Sequence, residues 1–248
     1  MDRGGGVYAF GTAQHLGDAS DVACLSSLEA VKLAAHPTGN GYWILLSDGT
    51  VMAFGAAQHH GNARNVMSFA PGEQAATMAS TPDGSGYWIF TDRGRVIALG
   101  TAADHGDLTG IALNGPVVDS VALPDRSGYY MVGSDGGVFA FGTADFYGSM
   151  GATPLNQPVN GLVPDPDERG YWLVAGDGGV FAFDAAFQGS MGGTELNQPV
   201  NGMIAYGDGY LMVASDGGVF NFATDRDFVG SLGGVSIPLP IVGIAAVA

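Results

Sequence analysis

The chain has one cysteine, Cys24, which excludes an internal disulfide framework. Basic residues are scarce as well. Lys32 is the only lysine, and the seven arginines are scattered rather than clustered. Nucleic acid is therefore an unsuitable partner, because phosphate backbones are held by grouped Lys and Arg that release counterions. The formal net charge of −16 opposes an anionic membrane surface in the same way. No run of 18 or more apolar residues occurs, so no segment has the length and hydropathy of a spanning helix, and membrane insertion is not expected. Charged residues make up only 13% of the chain, against 46% hydrophobic, which excludes general disorder. Catalytic signatures are missing too: there is no Gly-x-Ser-x-Gly elbow, no His-Glu-x-x-His and no phosphate-cradling glycine loop opening a helix. Cys24 has no base near it in sequence to activate it as a nucleophile.

What is present is a repeat. Val7-Tyr8-Ala9-Phe10 recurs as Val51-Met52-Ala53-Phe54, Val96-Ile97-Ala98-Leu99, Val138-Phe139-Ala140-Phe141, Val180-Phe181-Ala182-Phe183 and Val219-Phe220-Asn221-Phe222, at spacings of 39 to 45 residues. A period of this length signals a propeller or solenoid before anything else. A second strand precedes five of the six copies, beginning Gly41-Tyr42-Trp43, Gly86-Tyr87-Trp88, Gly128-Tyr129-Tyr130, Gly170-Tyr171-Trp172 and Gly209-Tyr210-Leu211. Between these two strands lies a turn such as Asp177-Gly178, a dipeptide suited to a tight primed hairpin.

Upstream of each Gly-Tyr pair runs a strand of small and aliphatic residues, from Val31–Pro37 through to Ile241–Ala248. A short fourth strand is expected around Leu16-Gly17-Asp18, His60-Gly61-Asn62, His105-Gly106-Asp107, Tyr147-Gly148-Ser149, Gln188-Gly189-Ser190 and Val229-Gly230-Ser231. The pattern predicts an all-β chain: a single domain over 1–248, folded as a six-bladed β-propeller of four-stranded antiparallel blades. The small-residue strand belongs innermost, where blades crowd. Longer loops are expected at Ala19–Glu29, with a helical turn, and at Ala63–Glu73, on the same face as the Asp-Gly hairpins.

Both chain ends build the sixth blade, and the Gly-Tyr-Trp strand due between them is absent. Either that blade is one strand short, or it borrows one, or the natural chain continues beyond these residues. An open edge there invites self-association or a partner's strand. Because the chain opens inside a unit, Met1-Asp2-Arg3-Gly4 says little about a removed secretion signal.

The wording Gly-Tyr-Trp-Leu-Val-Ala-x-Asp-Gly-Gly-Val-Phe-Ala-Phe, with Gly-Ser-Met-Gly-Gly and Leu-Asn-Gln-Pro-Val after it, resembles a repeat of secreted and cell-surface proteins of actinobacteria. It is also distantly similar to quinoprotein-like propeller repeats. The resemblance spans the chain and is strongest from Gly128 to Gly202. It implies an extracellular or cell-surface location and a binding role beside cell-wall hydrolase or peptidase modules. No catalytic residue and no quinone-holding residue carries over.

Candidate site residues follow from the loops. Asp48, Asp92, Asp135, Asp177 and Asp216 recur once per unit on the hairpin face. A carboxylate ring there could hold Ca²⁺, but Asp before Gly is first of all a turn residue, and no cofactor or metal is expected. Asp83, Asp125 and Asp208 in other loops read the same way. Asn114, Asn156-Gln157 and Asn197-Gln198 are polar, uncharged and repeated on one face, and together with Asp135, Asp177 and Asp216 they form the expected ligand surface. His15, His59, His60 and His105 recur near one repeat position, too far apart around a ring to share a zinc ion. Trp43, Trp88 and Trp172 and the repeated tyrosines could stack on sugars but are expected in packing. The expected function is a non-catalytic module recognising a glycan, cell-wall component or protein. The alternatives are a hydrolase or lyase at the channel mouth, favoured if Cys24, Glu29 and His36 converge, and an assembly module pairing through the open blade.

Overall fold

A computed structural model describes residues 1–20, 28–166 and 170–246. Cys24, the helical turn expected within Ala19–Glu29 and the final two residues of the last expected strand lie outside these. The described chain is all-β apart from one helical turn, α1 (Ala63–Val66). Its strands form five three-stranded antiparallel sheets, each a meander in sequence order. The first sheet holds β1 (Ala30–Ala35), β2 (Gly41–Leu46) and β3 (Val51–Gly55); the second holds β4 (Ala75–Ser80), β5 (Gly86–Thr91) and β6 (Val96–Gly100). The third is β7 (Val117–Ala122), β8 (Gly128–Gly133) and β9 (Val138–Gly142), and the fourth is β10 (Val159–Pro164), β11 (Tyr171–Ala175) and β12 (Val180–Phe183). The fifth is β13 (Val200–Tyr206), β14 (Gly209–Ala214) and β15 (Val219–Asn221).

The middle strands are buried at every residue, for example Gly41–Leu46 and Gly86–Thr91. That is why they read as continuous apolar runs rather than alternating ones: both faces are covered by neighbouring sheets. The first strands line up side by side, β1 against β4, β4 against β7, β7 against β10 and β10 against β13. Each carries a register shift after its first residue, as between Ala30 and Lys32 or between Val117 and Asp119. A bulge of this kind re-aims the side chain that follows it, here Lys32, Thr77 and Asp119 in three units, while the next two units have Gly161 and Gly202 at that position.

The hairpin between the second and third strands differs from the expected two-residue turn. In Gly176-Asp177-Gly178 the Gly178 amide bonds to the Ala175 carbonyl at 2.9 Å, and the Ala175 amide bonds to the Gly179 carbonyl at 2.9 Å. Only the glycine has a positive φ, 75°, so the loop has three residues and closes with a left-handed glycine. Asp177 stays on the negative-φ side and spends its carboxylate on the Gly179 amide at 3.0 Å.

The four-stranded expectation also changes. The segments around Gly17, Gly61, Gly106, Gly148, Gly189 and Gly230 join no ladder, and the glycines have φ between 105° and 140°. Such values break strand geometry. Each glycine instead lies under an apolar ring or aliphatic side chain of the following unit: a Cβ on Gly17 would stand 2.8 Å from Phe54, on Gly148 2.4 Å from Phe183 and on Gly230 2.7 Å from Phe10.

A further set of segments joins the chain ends. Asp2 and Ile241 form an antiparallel bridge. The Met1 amino nitrogen donates to the Gly243 carbonyl at 2.9 Å, and the Val242 amide donates to the Met1 carbonyl at 2.9 Å. Backbone bonds at this seam copy those of the sheets. The amides of Ser47, Asp92, Ser134, Gly176 and Ser215 donate to Glu29, Gln74, Pro116, Pro158 and Pro199, and Arg3 donates likewise to Pro240. The carbonyls of the same hairpin residues accept from the next unit: Arg3 from Ala30, Ser47 from Ala75, and so on to Ser215 from Ile241.

Candidate binding surfaces

Three places in the molecule bring chemistry together. The first is a depression of about 440 Å³ on the hairpin face, between the third and fourth sheets, to which Asn114, Asp135, Asn156 and Gln157 all contribute. The amide side chains of Asn114, Asn156 and Gln157 are exposed. Each offers two donors and an acceptor to a ligand. Asn197 and Gln198 are equally exposed but lie one unit further on, outside this depression, as do Asp177 and Asp216. Asp135, Asp177 and Asp216 each accept the amide two residues on, at 3.0 Å, so these carboxylates close their own turns. Among the described residues no group of three or more His, Cys, Asp or Glu side chains could hold a metal ion. Asp83 and Asp208 follow the same logic in other loops: hydrogen bonds from Thr81 and from Thr224 respectively hold their carboxyls down at about 2.

The second place is a polar cluster between the first strands, unforeseen in sequence. The Lys32 ammonium donates to Asp119 Oδ1 at 2.5 Å, across from the first sheet to the third. Thr77 Oγ1 and the Ser120 amide also donate to Oδ1, at 3.1 and 2.9 Å, and the Leu162 amide to Oδ2 at 3.2 Å. Asp119 is buried, so the ion pair is anchored by further donors rather than left alone. Gly161 lies beside the cluster, where a Cβ would stand 3.5 Å from Asp119 Oδ2, and a Cβ on Gly243 would meet nothing within 4 Å. The signal that was available is the lone lysine, placed inside a strand of small residues.

The third place is an apolar groove of about 610 Å³ at the seam, walled by Tyr8, Ala9 and Phe10 on one side and by Ile244, Ala245 and Ala246 on the other. Its geometry is set by the rule the other units obey. Tyr42, Tyr87, Tyr129, Tyr171 and Tyr210 each reach back to the preceding unit and donate to the carbonyl of Gly17, Gly61, Gly106, Gly148 and Gly189. Each hydroxyl also accepts an amide from the residue before that glycine, as Tyr87 does from His60 at 3.1 Å. Burial pushes the phenols of Tyr42, Tyr87, Tyr171 and Tyr210 up, so they stay protonated donors.

The remaining aromatic and imidazole groups serve packing. Trp43, Trp88 and Trp172 are buried, and their indole nitrogens donate to the Gln58, Ala103 and Ala186 carbonyls at 2.8, 2.6 and 2.8 Å. His60 and His105 lie against Tyr87 and Tyr129 with ring centroids 5.4 and 5.5 Å apart, and they bond to the Gly84 and Arg126 carbonyls. His15 and His59 pair locally with Asp18 and Asn62. Glu29 and His36 flank the two ends of β1, roughly 20 Å of extended chain apart, so they do not meet in one pocket.

No family model matches the chain, and no curated protein matches it. Among solved structures it is similar to a structural genomics protein of unknown function from Bacteroides thetaiotaomicron, with 13% identity and a TM-score of 0.51. The alignment covers 75% of this chain and 56% of that one, so this chain spans little more than half the length of its structural neighbour. The likeness is one of backbone course.

Proposed function

We propose that the chain is a β-propeller of six units, closed through its two ends, that binds rather than catalyses. Support for the ring comes from the seam: all six hairpins hand their carbonyl to the next unit in sequence, and the sixth does so through Arg3 to Ala30. The outermost segment of each unit takes the place of a fourth strand without pairing as one.

The binding reading rests on one observation. Asn114, Asn156 and Gln157 converge on one depression with their amides exposed and with Asp135 held in its turn beside them. Such a site suits a neutral, hydroxyl-rich ligand, with a glycan or cell-wall component outside the cell as the first choice and a protein loop as the second. Binding of the purified chain to arrayed cell-wall glycans, with and without a Ca²⁺ chelator, tests this. Saturable retention that is unaffected by chelator, falls about tenfold in an Asn156→Ala/Gln157→Ala variant and survives Asn197→Ala/Gln198→Ala is the expected result. Equal loss in both variants would remove the depression from the reading, and loss with chelator would restore the carboxylates as a metal site.

A specific observation favours a second reading, as an assembly module. The seam groove is apolar and lies between two backbones that no ladder occupies.

A further inference from the structure

The groove at the seam matches one absent strand, and the five complete sheets specify that strand residue by residue. In the first sheet Tyr42, Trp43 and Ile44 pair with Ala35, Ala34 and Leu33 on one side and with Phe54, Ala53 and Met52 on the other. At the seam Met1 and Asp2 stand where Leu45 and Leu46 stand in the first sheet: Asp2 bridges Ile241 as Leu46 pairs with Ala30. Among the described residues nothing stands where Gly41 to Ile44 would. Tyr8 to Phe10 and Ile244 to Ala246 therefore face each other with ladder edges unused.

The unmet chemistry is specific. Val229 and Gly230 occupy the place of His60 and Gly61, yet no hydroxyl reaches the Val229 amide or the Gly230 carbonyl among the described residues, whereas the five equivalent sites each hold a tyrosine. Phe10 already covers Gly230 as Phe54 covers Gly17, so half of the junction is built. Phe228 and Val229 next to it are 55% and 41% exposed.

The walls also select the shape of the occupant. Two walls of one sheet with a single strand missing are about 10 Å apart, twice the interstrand spacing, which is too narrow for a helix with its side chains. A small aromatic molecule would cover the apolar surface but leave both backbone edges unpaired. A second copy of this chain has no strand to lend, since each of its own Gly-Tyr strands is the buried centre of a sheet.

We propose that the groove binds, when offered in trans, one extended polypeptide strand with the repeat's own sequence, Gly-Tyr, then an aromatic, then an aliphatic residue. It runs antiparallel to both walls, and its tyrosine hydroxyl donates to Gly230 and accepts from Val229. The proposal deepens the assembly reading and depends on the six-unit ring.

The test uses the whole chain and a labelled peptide, acetyl-Gly-Ser-Gly-Tyr-Trp-Ile-amide. Anisotropy should show one saturable site, and the melting temperature should rise with peptide concentration. The Tyr→Phe peptide should bind about tenfold more weakly, since two hydrogen bonds go with one hydroxyl. A scrambled peptide should not bind. Joining the same six residues ahead of Met1 should raise the melting temperature and abolish binding of the free peptide, because the groove is then filled in cis. Equal binding of the scrambled peptide overturns the proposal, as does a fused chain no more stable than the original. So does dimerisation of the chain alone that the peptide leaves undisturbed. Amide exchange separates the two levels: slow exchange at Arg3 and Val242 without peptide binding leaves the ring intact and defeats the strand, whereas fast exchange there defeats both.

Discussion

The junctions around Gly17, Gly61, Gly106, Gly148 and Gly189 are each closed by a buried tyrosine from the next unit, while among the described residues the junction around Gly230 has Phe10 against it and no tyrosine. In the complete units the middle strand does the holding. It is buried along its length; in four of the five units its tryptophan or tyrosine ties down the outer segment of its own unit, the fifth having Leu211 there, and in all five its leading tyrosine ties down that of the unit before. At the seam the backbone bonds of Arg3, Val242 and Ile241 persist without that strand, and Asp2 supplies part of what is missing. The difference shows that hydrogen bonding between the chain ends and full packing beside them are separable: Met1 and Ile241 are buried where the ends join, while Tyr8 to Phe10 and Ile244 to Ala246 line an open groove.

The largest break of this comparison is expected from Trp88→Ala. Removing a fully buried indole that also bonds the Ala103 carbonyl should cost about 3–5 kcal/mol in denaturant unfolding. At the seam, Phe10→Ala on a third-strand position should cost about 1 kcal/mol, because one face of that ring borders the open groove. A cost for Phe10 near that of Trp88 would mean that the seam is packed like the rest.

A smaller effect reverses the order. The Asp2 carboxylate accepts the Gly4 and Gly6 amides, both at 2.9 Å, and the Tyr8 hydroxyl at 2.8 Å, and it is buried. Gly4 stands where four of the other five hairpins carry their turn aspartate and the second carries Arg93, so Asp2 caps the seam hairpin from two residues earlier. Asp2→Ala should cost about 2–3 kcal/mol, against about 1 kcal/mol for Asp177→Ala, which loses a single amide bond. Thermal melts of the two variants check the ranking, and the reverse order would show that Asp2 is not what holds the seam hairpin.

Much of this architecture was legible because a repeat prints its periodicity six times. The run from Gly170 to Phe183 announces a hairpin with a buried central strand. The outer segments misled because apolar residues beside Gly148 or Gly189 look like a strand, whereas the φ that lets Phe183 or Phe222 approach those glycines cannot continue a ladder. Of the polar loop residues, Asn114, Asp135, Asn156 and Gln157 meet because they belong to adjacent units, which a list of equivalent positions cannot distinguish from Asn197 and Gln198. The Lys32–Asp119 pair was hidden for another reason: its partners are 87 residues apart and neither belongs to the repeat consensus.

The smallest contrast concerns acid. Both Arg95–Glu73 and Arg3–Glu29 tie a hairpin to the loop that enters a first strand, one inside the second sheet and one at the seam. Arg95 holds Glu73 through two bonds, Nε to Oε1 at 2.7 Å and Nη2 to Oε2 at 2.6 Å, with the carboxylate buried, while Arg3 and Glu29 stand 3.7 Å apart and exposed. Burial by itself would raise the Glu73 carboxyl, but the Arg95 hydrogen bonds, the Ala70 amide, the Thr91 hydroxyl and the Arg95 charge bring it down to about 2 from an ordinary 4.5. A carboxyl depressed in the folded state adds stability above its unfolded pKa and loses it as pH falls through the folded one. Glu73→Gln should therefore cost about 2 kcal/mol at pH 7, and the gap from the parent chain should shrink between about pH 4.5 and pH 2. Glu29→Gln should move the unfolding midpoint by an amount close to the error at either pH, because an exposed pair contributes little. Urea titrations at pH 7 and pH 3 decide it: a Glu73→Gln deficit that is unchanged in acid would mean that the pair acts through packing, and the contrast with the seam would then lie in burial rather than charge.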